Sequence, residues 1–529
     1  MRFPVIQAGL LLATAIQATA ADFDIVVYGG TAGGAAAAIA AAKEGRSVAL
    51  VEPGRHVGGM ISGGLGRTDM DRQQNVIGGI AREFFERAGK VYGEPVSWLF
   101  EPHVAEQILT DWLKEAHVQV FFGHQLKSLV KEGTRIVRLE TENGGSFQAR
   151  VYIDCTYEGD LMKQAGVSYA IGREARAKYG ESLAGRQDIL PGPHQLRAAA
   201  SPYGPDGQLL PFIVRQDEVV PTGEGDGRVQ SYCFRLCLTD DPANLLPVGP
   251  PEGYDPKRYG LVRNYLAALG DAARLADFMG ISRLPHNKSD VNSGGAVSTN
   301  IPSLSWSYTE AGYAERRRIR QQHLDWAQGL LYFLGHDSAV PERIRQEMLR
   351  WGLPKDEFPD TGHWPHQLYV RDSRRMRGEY ILTQHDLQEH RAKYDSIGMG
   401  GYNIDIREVQ WIAHKVYRFP LVQDEVLMEG YLSMPVEPYE IPYRSLLPLV
   451  DECSNLLVAA AISSSHVAYA SFRMEPQYMI AGHAAGVAAS LAVERSVPVD
   501  QIDIPELQRK LAGQKQILHL PAPRGNSKQ

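Results

Sequence analysis

The stretch from Asp22 to Gly54, DFDIVVYGGTAGGAAAAIAAAKEGRSVALVEPG, constrains the fold more than any other part of the chain. A β-branched apolar run leads into a glycine turn, an Ala-rich helical segment, a Gly-bearing turn and a second apolar run ending at Glu52. This order predicts a β-strand, a helix and a parallel β-strand, the context in which a glycine motif binds a dinucleotide. Gly29 and Gly30 permit the sharp turn, Gly33 lies in the same cradle, and Gly34 lets helix and strand approach closely. The helix N-terminus then offers free N–H groups to a pyrophosphate. Glu52, 18 residues past Gly34, is placed for the hydroxyls of an adenosine ribose. Thr31 stands where G-x-G-x-x-G has its middle glycine: either its hydroxyl donates to phosphate or it is a tolerated replacement. The competing reading is a nucleotide-free unit whose glycines serve packing alone.

Three further segments select FAD over NAD. HVGGMISGGLGRTDMD carries the pair Gly58 and Gly59, where flavoproteins of the glutathione reductase type carry a second glycine-rich stretch. VYIDCTYEGDLMKQAGV, with Asp154 and Asp160, resembles the third FAD-contacting segment of that superfamily. RMEPQYMIAGHAAGVAASLA, with Gly482 and Gly486, resembles its C-terminal return to the cofactor domain, which sets a helix N-terminus against the flavin.

Longer stretches, among them DCTYEGDLMKQAGVSYAIGREARAKYGESLAG, DEFPDTGHWPHQLYVRDSRRMRGEY and SSSHVAYASFRMEPQYMIAGHAAG, resemble a family of FAD-dependent oxidoreductases. Some of its members carry the label xanthan lyase. The resemblance runs over nearly the whole chain and implies an FAD enzyme, without specifying a substrate. The chain departs from the family pattern at Ala459, Ala460 and Ala461, where relatives read close to AGR, and at Ile406, where they place a Ser-His pair after the acid corresponding to Asp405.

The expected fold is α/β: a Rossmann-like FAD-binding domain of the glutathione reductase type with an inserted mixed α+β substrate domain. The boundaries read from texture are a signal peptide at 1–21, the first part of the FAD domain at 22–172, a substrate domain at 173–440, the return at 441–512 and a tail at 513–529. Arg2, the apolar run Val5 to Ile16 and the small residues Ala18, Thr19, Ala20 and Ala21 form the signal, which predicts a secreted or secretory-pathway protein. That apolar run is too short to span a bilayer, so no membrane partner is expected. A net charge of −7 gives no footprint for nucleic acid. Cys155, Cys233, Cys237 and Cys453 permit at most two bridges, but read better as buried hydrophobes; Cys233 and Cys237 are poorly placed to bridge each other.

A flavin carries the redox chemistry, so the protein must set a substrate carbon against N5 and manage a proton. His466 is the candidate general base for a substrate hydroxyl, against the alternative of a hydrogen-bonded core histidine. Arg473, Arg371, Arg374 and Arg375 are candidates for an anionic substrate or reduced flavin, although acids interleaved in VRDSRRMRGEY favour internal ion pairs. His286, Asn287, Asp290 and Asn292 suit a polyhydroxylated substrate, while Asn287-Lys288-Ser289 is also a glycosylation sequon. His56 lies where some flavoproteins touch or covalently hold the flavin. His363 and His366 lack metal-ligand spacing, so no metal is expected, and GESLAG lacks the spacing of a nucleophile elbow. The leading expectation is oxidation of a small organic, polyhydroxylated or secondary-metabolite substrate, with oxygen or another electron acceptor. The rivals are a redox-neutral flavin lyase or isomerase and a secreted ligand-binding protein with structural FAD.

Overall fold

The computed structural model describes residues 21–520 apart from 71, 191, 193, 390 and 419. The predicted signal segment therefore lies outside the described residues except for Ala21, which already belongs to the first strand.

Strand β1 (Ala21–Tyr28) enters helix α1 (Ala32–Lys43), which returns through β2 (Val48–Glu52). Ala dominates α1 because every residue from Ala32 to Ala41 is buried; the small side chains let neighbouring backbones close on it. Helices α2 (Gly79–Val91) and α3 (Pro102–Glu115) follow, burying Phe84, Phe85, Ile108 and Trp112 beside α1. Burying each such side chain contributes about 1.5–3 kcal/mol. Strands β3 (Gln119–Phe122), β4 (Leu126–Glu132), β5 (Arg135–Thr141) and β6 (Ser146–Asp154) complete the first part of the main sheet.

The middle of the chain forms smaller sheets of its own. Strands β7 (Leu236–Thr239), β8 (Met279–Arg283) and β9 (Lys288–Ser293) form an antiparallel sheet. Helix α4 (Tyr313–His336) follows, and the antiparallel pair β10 (Gln410–Arg418) and β11 (Leu421–Glu429) belongs to a second sheet. The chain then returns. Strand β12 (Leu456–Val458) lies parallel to β6, helix α5 (His466–Phe472) is short, and α6 (Glu475–Arg495) packs along α1.

Among the described residues the main sheet has seven strands in the order β3-β2-β1-β6-β5-β4, with β12 also paired to β6. β3, β2, β1, β6 and β12 run parallel, and β4 and β5 extend the sheet antiparallel. The two ends of the chain thus build one doubly covered α/β layer around an intervening mixed region. The carboxyl ends of β1, β2 and β6 meet on one edge, where open parallel sheets take their ligands.

Candidate functional site

The site begins at the turn between β1 and α1. Gly29 has φ +97°, and a Cβ on Gly34 would stand 1.9 Å from the Gly29 carbonyl oxygen, so the turn closes only around glycine. Thr31 caps α1: its Oγ1 accepts from Gly34 N–H at 3.1 Å and donates to the Cys155 carbonyl at 2.9 Å. Both capacities of the hydroxyl serve the fold, which favours structural replacement over the phosphate-donor alternative. The N–H groups of Ala32 and Gly33 have no acceptor within the helix, and the macrodipole points positive there.

Glu52 accepts from Gly30 N–H and Gly54 N–H at 2.6 Å each, so its carboxylate lies over the glycine turn. Burial raises its pKa to about 7, against the two N–H bonds that lower it. The second glycine-rich stretch docks directly on the first, with Gly58 N–H donating to the Gly30 carbonyl at 2.7 Å. Gly59 faces the Tyr157 ring; a Cβ there would come within 2.2 Å of the hydroxyl.

Tyr157 ties together the three other segments expected around a flavin. Its hydroxyl accepts from Met60 N–H at 3.0 Å and donates to Glu475 Oε1 at 2.6 Å. Met60 follows the glycine pair, Tyr157 follows β6, and Glu475 opens α6. Glu475 is buried, its Oε2 has no protein partner, and burial raises its pKa to about 8 despite the Tyr157 bond. A neutral carboxyl with one unsatisfied oxygen at a helix N-terminus is a polar group aimed at something the protein does not supply. These features fit FAD: a glycine cradle, a carboxylate at the end of β2 and an unsatisfied polar edge at the start of α6. Neither Tyr157 nor Glu475 was picked out from sequence, because their pairing spans more than 300 residues.

Several predicted cofactor contacts are corrected. Gly482 and Gly486 face α1: a Cβ would come within 2.0 Å of the Gly33 carbonyl and 2.3 Å of the Ala37 carbonyl, respectively. Gly33 also packs through its missing Cβ, against the Tyr478 carbonyl at 2.8 Å, a contact that does not involve its N–H. These three glycines bring two helix backbones into contact, a packing duty that a sequence motif does not distinguish from ligand approach. Asp154 spends its carboxylate on its own turn, accepting from Thr156 N–H, Thr156 Oγ1 and Met162 N–H at 2.7–2.9 Å. Asp160 accepts from Arg316 at 2.6 and 2.9 Å and from Arg374 at 2.9 Å.

His466, the predicted base, opens α5 and is buried. Its Nδ1 lies 2.8 Å from Glu174 Oε2, which also accepts from His466 N–H at 3.0 Å. Burial opposes ionisation of Glu174, but Arg375 (2.8 Å) and His466 more than offset it and hold the carboxyl far below the ordinary range. An ionised carboxylate only accepts, so Nδ1 donates to it; the Glu174 N–H also approaches Nδ1, at 3.3 Å. Nε2 has no protein partner. Glu174 is a residue the sequence reading did not single out: an acid 292 positions from its histidine carries no local signal.

The arginine candidates are all engaged. Arg371 bonds to the Ser231 carbonyl and, at 3.2 Å, to Asn300 Oδ1. Arg374 pairs with Asp160 and Glu310, and Arg375 with Glu174. Arg473 pairs with both the side chain and carbonyl of Asp405 at 2.8 Å. The ion-pair alternative therefore describes Arg374, Arg375 and Arg473, while Arg371 is held by neutral oxygens. His286 is corrected as well: it stands on the exposed β8–β9 turn with Nδ1 2.7 Å from Glu101. Asp290 from the same stretch points inward, accepting from Gly66 N–H (3.0 Å), Arg67 N–H (3.2 Å) and Arg235 (2.6 Å). All four cysteines are buried and free. A cavity of about 870 Å³ lies elsewhere, lined by Phe212, Tyr254, Arg258 and Asp325, and touches none of these residues. Volume alone does not outweigh the convergence of charged and orphaned groups at the sheet edge.

No helix among the described residues is long and apolar enough to cross a membrane. No curated protein matches the chain. Solved structures that it resembles locally include thioredoxin reductase of T. acidophilum (20% identity, 25% of this chain and 34% of that one, TM-score 0.16). A flavoprotein/dehydrogenase from Cytophaga hutchinsonii matches at 21% identity over 28% of this chain and 42% of that one, with TM-score 0.21. The anhydrotetracycline hydroxylase OxyS from Streptomyces rimosus matches at 14% over 33% and 41%, with TM-score 0.20. These alignments each span less than half of the matched chain. The model of one family, FAD dependent oxidoreductase, instead covers residues 24–511, from β1 past α6. The chain belongs to the FAD dependent oxidoreductase family.

Proposed function

We propose that this enzyme oxidises a C–OH bond of a small polyhydroxylated organic substrate, with His466 as the base and Glu174 as its positioning partner. The observation that carries this reading is the buried dyad: Glu174 fixes Nδ1–H of His466 at 2.8 Å and leaves Nε2 without a protein partner. An imidazole nitrogen that is buried, oriented by a carboxylate and without a protein partner is placed to take a hydroxyl proton. The turn at Gly29 and Gly30, Glu52, Gly58 and Gly59 would hold FAD, with Tyr157 and Glu475 offering a further polar contact. Bound FAD supplies the two-electron acceptor, and oxygen or another acceptor takes the electrons afterwards. Arg375 keeps Glu174 ionised and so keeps the dyad poised.

The test is a screen of sugars, polyols and secondary alcohols for anaerobic bleaching of the bound flavin, repeated with His466→Gln. Loss of a general base lowers the bleaching rate by ~10²–10⁴-fold. Equal rates in both proteins would remove His466 from the chemistry. Product formed without any acceptor would favour the redox-neutral alternative. The N-terminal sequence supports export, and sequencing the mature protein should place its first residue near Ala21; an intact Met1 would overturn that inference.

A further inference from the structure

The cavity of about 870 Å³ in the middle of the chain shares no residue with the glycine cradle or with the His466–Glu174 dyad. Its walls come from residues 204–212, residues 251–264 and the α4 residues Gln322 and Asp325. Its volume lies within the range of clefts that enclose small organic ligands.

Three observations mark it as a built site. Phe212, on its wall, has φ +67°, a backbone region that a bulky side chain rarely adopts. The fold holds it there: Ser303 Oγ donates to the Phe212 carbonyl at 3.1 Å, and the ring meets Trp326 edge-on with centroids 5.8 Å apart. Strain of this kind persists where the surroundings over-determine it, and it gathers at ligand clamps. Second, Tyr254 is a half-buried ring packed on both Tyr259 (centroids 5.9 Å apart, planes at 26°) and Tyr332 (5.1 Å, 79°). Its position is set before anything binds, which lowers the ordering cost of binding. Third, Gln322 Oε1 is withdrawn from water and accepts no hydrogen bond from the protein. A buried acceptor in that state is destabilising until some group donates to it.

The lining also limits the chemistry of the ligand. Four acids and three bases face the cavity, a near balance that creates no field for an ion. The rings, leucines and prolines supply apolar surface, while the amides of Gln208 and Gln322 and the charged groups supply donors and acceptors of both kinds. The Arg258 guanidinium lies 5.7 Å from the Phe212 ring centroid and sets N–H donors beside that aromatic wall. A sugar meets both demands, because its C–H face lies against an aromatic ring while its hydroxyls exchange hydrogen bonds at the edge.

We propose that this cavity binds a short uncharged oligosaccharide, with Tyr254 as the platform for one sugar ring and Gln322 Oε1 as acceptor for a sugar hydroxyl. The site is an anchor separate from the reaction centre proposed above, so either reading can fail alone.

The test is calorimetric titration of the purified protein with cellotriose, maltotriose, xylotriose and mannotriose, with trigalacturonic acid as the anionic probe. At least one neutral trisaccharide should bind, and His466→Gln should bind it as well as wild type does. Gln322→Leu should weaken binding by ~2–12-fold, the loss of one net hydrogen bond, without lowering the melting temperature, because the unsatisfied acceptor leaves with it. Tyr254→Ala should weaken binding by ~10-fold or more, as removal of a central aromatic anchor does. Both variants should keep the flavin absorbance of the parent. Should Tyr254→Ala fail to fold, Gln322→Leu carries the test alone. The proposal is overturned if no neutral trisaccharide binds, if Gln322→Leu binds with unchanged affinity, or if trigalacturonic acid binds more tightly than the neutral sugars. Loss of binding in His466→Gln would also overturn it, by placing the sugar at the reaction centre.

Discussion

Replacing Glu475 by Gln should make the protein more stable as pH rises, relative to wild type. The carboxyl has an ordinary pKa of 4.5 and is raised to about 8 in the fold, chiefly by burial. A raised folded pKa means that the native state holds a proton the unfolded chain has released. Stability from this group is therefore full below pH 4.5 and declines as pH rises toward 8. Each pH unit in that window costs about 1.4 kcal/mol, so by pH 7 the loss reaches about 3 kcal/mol. Gln keeps the shape and can still accept from Tyr157, but does not titrate. Its amide nitrogen inherits the unsatisfied position of Oε2 and imposes an offset of about 1–3 kcal/mol at every pH. The observable is thus the slope. Thermal unfolding of the FAD-free proteins, followed by tryptophan fluorescence at pH 5, 6, 7 and 8, should show the variant gaining about 3 kcal/mol on wild type across the series. Glu52 and Asp154, also raised by burial, destabilise in the same direction but cancel between the two proteins. A difference that stays constant from pH 5 to 8 would show that Glu475 is ionised in the fold and refute the reasoning.

Three other outcomes follow from the same geometry. Glu174→Gln strands Arg375, whose Nε and Nη1 already lack partners, and should cost on the order of 3–5 kcal/mol in chemical denaturation; Arg375→Met in the same chain should recover most of it, and additivity within about 0.5 kcal/mol would refute the coupling. Gly34→Ala places a methyl 1.9 Å from the Gly29 carbonyl, so the purified variant should carry no yellow flavin; a full visible spectrum would show that the turn adapts. Lys288→Met leaves the buried Glu101 and Glu357 without the ammonium that lies 2.6 and 2.7 Å from them, and should cost at least about 3 kcal/mol, partly restored by adding Glu357→Gln; a melting curve unchanged by Lys288→Met would count against that network.

The amino-acid sequence by itself determined the cofactor half. A β-branched strand, a glycine turn, an Ala-rich helix and an acid at the end of the second strand are local features, each decided within a few residues by sterics and hydrogen bonding. β1, α1, β2 and the cradle under Glu52 accordingly stand where the motif placed them, and the family was legible from the same segments. Only the tertiary structure decided what each polar residue does. Gly482 and Gly486 read as ligand glycines but pack helix on helix, because a missing Cβ admits a backbone as readily as a phosphate. Arg371 and Arg473 read as binding arms but are consumed by partners 71 and 68 positions away. Glu174, Tyr157 and Glu475 gave no signal. Their chemistry arises from pairs joined across the fold, where burial sets ionisation and a charge is defined by what the chain brings beside it.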